Sequence, residues 1–235
     1  MNNILILCII FLFLVIIKMI LKPNKCNQTD IVIAKNILSK NECDKIIRLA
    51  NKEKWDTDVE VVDGYPLWQI DIFGGSNKTD NNIWDEHVKK IYNNKIFPYI
   101  KKCKRREKWM DKKYNLDWVY IRKYNKDDRS DLVWHADETR LSIIIPLNNE
   151  YTGGRLYYFN KLYSELLDDM QNSFKTLKHT DEIKLKKELF RITDKYSYAN
   201  IKQGDLFILS GSTIHGISPV KSGERYSMVL FFNMY

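Results

Sequence analysis

The chain has 235 residues, of which 44% are hydrophobic and 13% aromatic, which excludes an intrinsically disordered protein and allows one domain with a substantial core. Four cysteines in a chain of this length exclude a disulfide framework. The net charge of +8 is compatible with a nucleic-acid, acidic-lipid or acidic-peptide partner, but the basic residues alternate with acidic ones, which favours an ordinary solvated surface.

The N-terminus is an apolar segment. Ile4 to Ile17 is unbroken, and the apolar character continues past Lys18 to Lys22. Residues 1–22 are predicted to form a transmembrane helix, because the Lys18 side chain can extend to the interface. A cleaved signal peptide is the alternative, although a basic leader and a small-residue cleavage site are missing. We expect a single-pass membrane protein, with the endoplasmic reticulum as one candidate compartment and the side of the membrane open.

Residues 23–30 are predicted to be a polar linker, and residues 31–235 the folded domain. Ile31–Ala34 is typical of a strand. Ser39 and Glu42 have the spacing of a capping box, and apolar residues follow at helical spacing, which predicts a helix to about Lys54.

The next segment changes from strand to helix. Val59–Val62 and Trp68–Phe73 are predicted strands on either side of a turn at Gly64–Pro66. Ile83–Tyr114 is predicted to be mostly helical, with a break near Pro98 and a strongly basic second part. A solvated helix face explains those charges better than a site for a polyanion does.

From Trp118 onward the chain consists of short apolar or β-branched stretches separated by turn residues, which predicts an antiparallel sandwich or barrel. The predicted strands are Asp117–Tyr124, Leu141–Leu147, Arg155–Phe159, Ala199–Ile201, Asp205–Leu209 and Arg225–Phe232. The charged stretch of residues 162–192 interrupts them and is predicted to be a helical insertion over one rim, either a lid that contacts substrate or a neutral decoration.

Two residues near one predicted strand carry metal-binding groups. His135 and Asp137 are two positions apart, so an extended chain presents both side chains on the same face. We expect them at the edge of the strand that continues as Leu141–Leu147. A single pair of this kind is weak support for a site.

His215 lies among small and polar residues just after another predicted strand. Two histidines and one carboxylate on one face of an octahedral ion leave three positions open, which is the facial triad of non-haem iron(II) oxygenases. A bidentate 2-oxo acid fills two of these positions and dioxygen the third. The pattern predicts His135, Asp137 and His215 as metal ligands.

Arg225 is the candidate partner of a distal carboxylate. A cosubstrate chelated through its 2-oxo acid end carries a second carboxylate, which a guanidinium can bind through two parallel hydrogen bonds. Ser227 shares the face of Arg225 and can assist. The residues of the opposite face are predicted core: Tyr226, Met228 and Leu230.

Together these motifs resemble the catalytic domain of the Fe(II)/2-oxoglutarate dioxygenases, and within it the prolyl 4-hydroxylase and lysyl hydroxylase group. The segments that carry the resemblance are His135-Ala136-Asp137, Gly153-Gly154, Gly204-Asp205, His215 and Pro219 to Tyr226, together with Ile37 to Cys43 at the opening helix. The resemblance covers about Ile31 to Tyr235. It implies a double-stranded β-helix, or jelly roll, which is mainly β with flanking helices.

The resemblance also implies roles for individual residues. His135, Asp137 and His215 would be the iron ligands, and Arg225, ten residues after the second histidine, would bind 2-oxoglutarate. Tyr124 matches a tyrosine that helps to bind 2-oxoglutarate, with ordinary core packing as the alternative. The implied cofactors are Fe(II), 2-oxoglutarate and O2, with ascorbate keeping the iron reduced.

This sequence departs from the family pattern in three places. Asn125 to Ser130 replaces a glycine-rich stretch, Val133-Trp134 stands where a second tyrosine is expected, and the insertion of residues 162–192 has no counterpart. These differences leave the metal chemistry intact and put the substrate in doubt.

The resemblance implies hydroxylation of a prolyl or lysyl side chain in a protein or peptide. Oxidative demethylation of nucleic acid ranks below it, because position 231, where those demethylases carry a second arginine, is Phe231. A catalytically silent, membrane-anchored binding module is the third interpretation, and metal analysis would distinguish it.

Overall fold

The structure is a computed structural model, and it describes residues 31–75, 82–104, 113–137, 139–159, 183–184 and 196–234. The predicted anchor of residues 1–22 and the linker of residues 23–30 lie outside the described residues. So does the predicted insertion of residues 162–192, apart from residues 183–184. Within the described ranges, no helix has the length and apolar character needed to cross a bilayer.

The first helix, α1, follows strand β1 (Ile31–Ala34) and spans Lys40–Ala50. Its predicted capping box is confirmed: the Glu42 amide donates to Ser39 Oγ, and the Ser39 amide donates to the Glu42 carboxylate at 2.8 Å. Cys43, Ile46 and Ala50 form its buried face. The helix ends at Ala50, four residues before the predicted end.

A second helical segment passes through Pro98 without the predicted break. It consists of two π-helical turns, Trp84–Val88 and Tyr92–Ile96, which alternate with the α-helices α2 (Lys89–Ile91) and α3 (Phe97–Lys104). The amide of Phe97 donates to the carbonyl of Tyr92, five residues earlier. This wider turn relieves the clash that a proline ring makes with the carbonyl four residues before it. The basic residues 105–112 lie outside the described ranges.

The described strands form two antiparallel sheets. The strands after β1 are β2 Gln69–Gly74, β3 Leu116–Asn125, β4 Leu132–His135, β5 Leu141–Pro146, β6 Tyr151–Gly153, β7 Leu156–Phe159, β8 Tyr196–Tyr198, β9 Leu206–Ser210, β10 His215–Ile217 and β11 Val220–Phe232. The larger sheet has the order β1-β9-β5-β11-β3-β2, with β6 also paired to β11, and the smaller has the order β4-β10-β7-β8.

Two strand predictions were wrong. Val59–Val62 is not a strand; the chain there forms only isolated bridges, Asp56 with Gln69 and Val59 with Pro66, so it makes an irregular hairpin. Ala199–Ile201 lies in a loop, and the strand that pairs with β7 is Tyr196–Tyr198.

The hydrophobic side chains form two clusters, one on each face of the larger sheet. On the outer face, the buried residues of α1 and of the second helical segment pack against alternate residues of β11: Tyr226, Met228, Leu230 and Phe232. The other cluster contains residues of both sheets, such as Tyr120, Phe207 and Val229 from the larger and Leu132, Leu156 and Ile217 from the smaller. The predicted class, mainly β with flanking helices, is confirmed as a sandwich of two sheets with helices on one side.

Candidate metal and cosubstrate site

The two histidines of the predicted triad are cross-strand neighbours. His135 ends β4 and His215 begins β10, and they are register partners in the antiparallel pair, with an irregularity between His215 and Ile217. The prediction that His135 and Asp137 share a strand with Leu141–Leu147 was wrong, because β4 belongs to the smaller sheet and β5 to the larger. Asp137 lies in the connection that crosses between them.

The structure brings all three predicted ligands together. One donor atom from each of His135, Asp137 and His215 lies within 4.8 Å of the others. His135 Nε2 is 3.4 Å from Asp137 Oδ1, and His215 Nε2 is 3.7 Å from Asp137 Oδ2. The imidazole ring centroids are 4.6 Å apart. This convergence at one point is what a single metal ion requires.

Each imidazole is oriented in the same way by the backbone. Nδ1 of His135 lies 2.9 Å from the carbonyl oxygen of Val133, and Nδ1 of His215 lies 2.9 Å from that of Thr213. In the neutral ring, Nδ1–H then donates to the carbonyl, and the lone pair of Nε2 is directed towards the other ligands. Metal-binding histidines are commonly fixed by such a hydrogen bond on the second nitrogen.

The electrostatics of the triad also fit a cation. Burial alone would raise the pKa of Asp137, but the interactions with His215 and His135 lower it to about 2, so the carboxylate is ionised at neutral pH. Burial lowers the pKa of His215 below its usual value, more than Asp137 raises it, which keeps the ring neutral. Asp137 Oδ2 is buried without a hydrogen-bond partner. A metal ion would satisfy that oxygen, so the residues present fit one.

The triad lines a small cavity of about 30 Å³, whose wall also contains Tyr124, Arg225 and Ser227. Arg225 is 1% exposed and donates from Nη1 to Ser227 Oγ at 2.8 Å. It is the register partner of Tyr124 on β3, and its guanidinium carbon is 5.4 Å from the tyrosine ring centroid. The predicted cosubstrate residues therefore share one cavity with the predicted metal ligands.

Arg225 is a buried cation without an anionic partner among the described residues. Its only hydrogen bond there goes to a neutral hydroxyl, and its Nε has no partner. A buried unpaired charge is costly, and a carboxylate would provide both the charge and the acceptors that the guanidinium lacks. The cavity is thus suited to a ligand with a metal-chelating end and an anionic end.

The cavity is also lined by two polar side chains that the sequence patterns did not indicate. Tyr120 and Arg122 precede Tyr124 at alternate positions of β3, so all three side chains lie on the inner face. A charged residue between two tyrosines at alternate positions of one strand was the signal available in the sequence. The Arg122 side chain is buried against Glu60 and Gln69, which come from the preceding loop and strand.

The other motif residues have structural surroundings. Gly154 has a φ of +55°, and a Cβ placed on it would lie 3.1 Å from Arg225 Cδ. Gly204 has a φ of +80° and closely approaches the Leu38 carbonyl oxygen. Asp205 accepts hydrogen bonds from the amides of Asn36 and Lys202. These residues support the site or join β9 to the N-terminal corner rather than contact a ligand.

No family model matches the sequence. A curated relative, the 2-oxoglutarate and iron-dependent oxygenase domain-containing protein ICU11 of Arabidopsis thaliana, is 26% identical over 112 residues, which is 48% of this chain and 23% of the relative. The chain thus matches less than a quarter of the length of that relative.

Solved structures of low sequence identity share the fold. An oxidoreductase of the 2OG-Fe(II) oxygenase family from Burkholderia pseudomallei has a TM-score of 0.58 at 13% identity, over 88% of this chain and 86% of the other. A Trichoplax adhaerens prolyl hydroxylase, solved in complex with a peptide fragment of the hypoxia inducible factor oxygen degradation domain, has a TM-score of 0.58 at 13% identity, over 90% and 86%. The predicted resemblance to the 2-oxoglutarate-dependent oxygenases is confirmed at the level of the fold.

Proposed function

We propose that this protein is an iron(II)- and 2-oxoglutarate-dependent dioxygenase that hydroxylates a side chain of a protein or peptide, prolyl or lysyl. One observation carries the proposal: the His135–Asp137–His215 cluster lines the same cavity as the guanidinium of Arg225, which has no anionic partner among the described residues. A ligand with a chelating 2-oxo acid at one end and a carboxylate at the other fits both groups at once.

Different residues of the chain would bind the metal and the cosubstrate. His135, Asp137 and His215 would hold iron(II), and Arg225 with Ser227 and Tyr124 would hold the distal carboxylate of 2-oxoglutarate. The bound metal would supply dioxygen activation coupled to oxidative decarboxylation of the cosubstrate. Apolar side chains such as Leu132 line the cavity and would limit the access of bulk water to the reacting groups.

A peptide substrate is favoured by the surface beside the cavity. Residues 51–68, between α1 and β2, are here called the covering loop. It carries three of the four large hydrophobic side chains that are exposed in the described part of the chain: Val59 at 68%, Val61 at 84% and Tyr65 at 43%. Val62 of the same loop packs against the cluster around the cavity. Apolar groups held at the edge of a site are typical of a surface that binds a macromolecule.

The alternatives are separable by simple observations. Phe231 lines the cavity at the position where nucleic-acid demethylases carry a second arginine, so nothing at that position favours a nucleic acid. A catalytically silent module would bind neither iron nor 2-oxoglutarate. The proposal also includes anchoring in a membrane through residues 1–22, with the endoplasmic reticulum as a candidate compartment. It includes a requirement for ascorbate as well.

The function is tested by mass spectrometry of a peptide library that includes collagen-like and lysine-containing sequences. The library is incubated with the iron-loaded protein, 2-oxoglutarate and ascorbate, and peptides are searched for a gain of one oxygen atom. Succinate is measured in parallel without peptide. We expect hydroxylated peptides and a slower, uncoupled formation of succinate, both absent in His135→Ala. Retained succinate formation in that variant would contradict the assignment.

A further inference from the structure

A buried ion pair joins the covering loop to the wall of the cavity. Arg122 Nη2 lies 2.7 Å from Glu60 Oε2, with side chains 8% and 10% exposed. The same Nη2 donates to Gln69 Oε1 at 2.5 Å. The carboxylate of Glu60 thus points inward, whereas its neighbours Val59 and Val61 are exposed to solvent.

The other side of Arg122 faces the cosubstrate residues. Its guanidinium carbon is 5.1 Å from the ring centroid of Tyr120, and its register partner on β11 is Ser227. Burial would lower the pKa of Arg122, but its interactions with Tyr120, Tyr124 and Glu60 raise it, so the cation is stabilised from both the loop and the cavity wall. Its Nε is buried without a partner, and Arg122 is one of the residues that line the cavity.

A second buried ion pair fastens the same loop at a place that does not line the cavity. Arg129 Nη2 is 3.1 Å from Asp63 Oδ2, and the two side chains are 1% and 2% exposed. Arg129 also donates to the Pro66 carbonyl at 2.8 Å. Its guanidinium carbon is 5.7 Å from the Tyr124 ring, so a matched control must alter Asp63 and leave Arg129 in place.

We infer that the Glu60–Arg122 ion pair couples the covering loop to the cosubstrate site, with Arg122 acting as a positioning residue for the part of the cavity wall that Tyr120 and Ser227 form. The inference rests on the proposed function, because it takes 2-oxoglutarate as the ligand of that site. A cosubstrate seated against Tyr124 and Arg225 restrains the wall on which Arg122 packs. The restrained Arg122 then holds Glu60 and the loop in the inward position that the structure shows, here called the closed position.

The coupling acts in both directions. If 2-oxoglutarate stabilises the closed loop, then fixing the loop through Glu60 must increase the affinity for 2-oxoglutarate by the same factor. Loss of the Glu60 charge should therefore lower the affinity for 2-oxoglutarate, although Glu60 does not contact the ligand. Coupling between sites in proteins commonly corresponds to a factor of about 5–150. A peptide that contacts the loop would then bind better after the cosubstrate than before it.

The test compares Glu60→Gln with Asp63→Asn in the full chain. Each substitution removes one buried carboxylate charge from the same loop, so both variants should lose thermal stability. Binding of 2-oxoglutarate is measured by calorimetry with Mn²⁺ in place of iron and without oxygen. We expect the Kd to rise about 5-fold or more in Glu60→Gln, with less than about a 2-fold change in Asp63→Asn. Equal changes in both variants, or none in Glu60→Gln, would overturn the inference.

A second measurement needs no variant. Hydrogen exchange of the wild-type protein is followed with Mn²⁺ alone and with Mn²⁺ plus 2-oxoglutarate. The amides of Glu60 and Gly64, which donate to Tyr65 and Glu60 carbonyls within the loop, should exchange more slowly when the cosubstrate is present. If 2-oxoglutarate binds and the exchange rates of these amides do not change, the coupling is contradicted but the proposed function is not. Failure of the wild-type protein to bind 2-oxoglutarate would instead contradict the proposed function and the inference with it.

Discussion

His135 and His215 stand directly opposite each other on neighbouring antiparallel strands, with imidazole centroids 4.6 Å apart and each Nδ1 held by the carbonyl two residues before it. The ladder between β4 and β10 therefore sets the spacing of the two nitrogen ligands. Asp137 completes the cluster from the connection that follows β4. The site is built largely on regular backbone, which gives a rigid basis for a metal-binding geometry.

Removing the carboxylate of Asp137 should strongly weaken metal binding. In Asp137→Ala we expect iron affinity to fall by more than about 100-fold, because loss of a residue that merely supports a ligand already costs 10–100-fold. Iron content is measured after equilibrium dialysis against a fixed Fe(II) concentration. Asp58→Ala, which removes an exposed carboxylate on the covering loop, is the control and should retain iron. Equal iron contents in the two variants would rule out Asp137 as a ligand.

A methyl group at Gly154 should disturb Arg225 without reaching the metal. The added Cβ would lie 2.8 Å from Val220 Cγ2 and 3.1 Å from Arg225 Cδ, and the φ of +55° is unfavourable for alanine. We expect Gly154→Ala to raise the Kd of 2-oxoglutarate by about 10-fold, equivalent to about 1.4 kcal/mol, and to keep its iron. Calorimetry and iron analysis on the same sample check both parts. An unchanged Kd would mean that the arginine tolerates the displacement.

Asp205 should stabilise the fold in a pH-dependent way. Burial would raise its pKa, but hydrogen bonds from the Asn36 amide, the Lys35 ammonium and the Lys202 amide lower it below its usual value. The unfolded state therefore binds the proton more tightly. The stabilisation is complete above the ordinary pKa of about 3.9 and is lost as the pH falls through the lower, folded-state pKa.

The corresponding variant is Asp205→Asn. It should lower the free energy of unfolding at pH 7 by about 2 kcal/mol, since hydrogen bonds to a charged group are lost. Urea denaturation at pH 7 and at pH 3 measures the difference between the two proteins, which should shrink at the lower pH. A difference that grows on acidification would contradict the assigned direction of the pKa shift.

The sequence predicted β3, β5, β7, β9 and most of β11, and it indicated four residues that the structure places around one cavity, because two-residue alternation and the order of His135, Asp137, His215 and Arg225 are visible without coordinates. It misplaced β4, since alternation cannot show that the residues after His135 cross from one sheet to the other. The sequence also did not indicate a role for Arg122, because that role depends on its ion pair with Glu60, a residue 62 positions earlier on an irregular loop. Such a pairing is determined by tertiary packing and leaves no local pattern.

We propose that one cavity holds a chelated 2-oxo acid by the metal triad and its distal carboxylate by Arg225. The most direct measurement is the affinity of 2-oxoglutarate and of 2-oxobutyrate, which lacks the distal carboxylate, for the Mn²⁺-loaded wild type and Arg225→Gln, with the exposed Arg48→Gln as control. We expect Arg225→Gln to weaken the binding of 2-oxoglutarate by about 10-fold to 100-fold, or about 1.4 to 2.7 kcal/mol, and to leave the binding of 2-oxobutyrate almost unchanged. Equal weakening of both ligands, or binding of 2-oxoglutarate that does not depend on the metal, would contradict it.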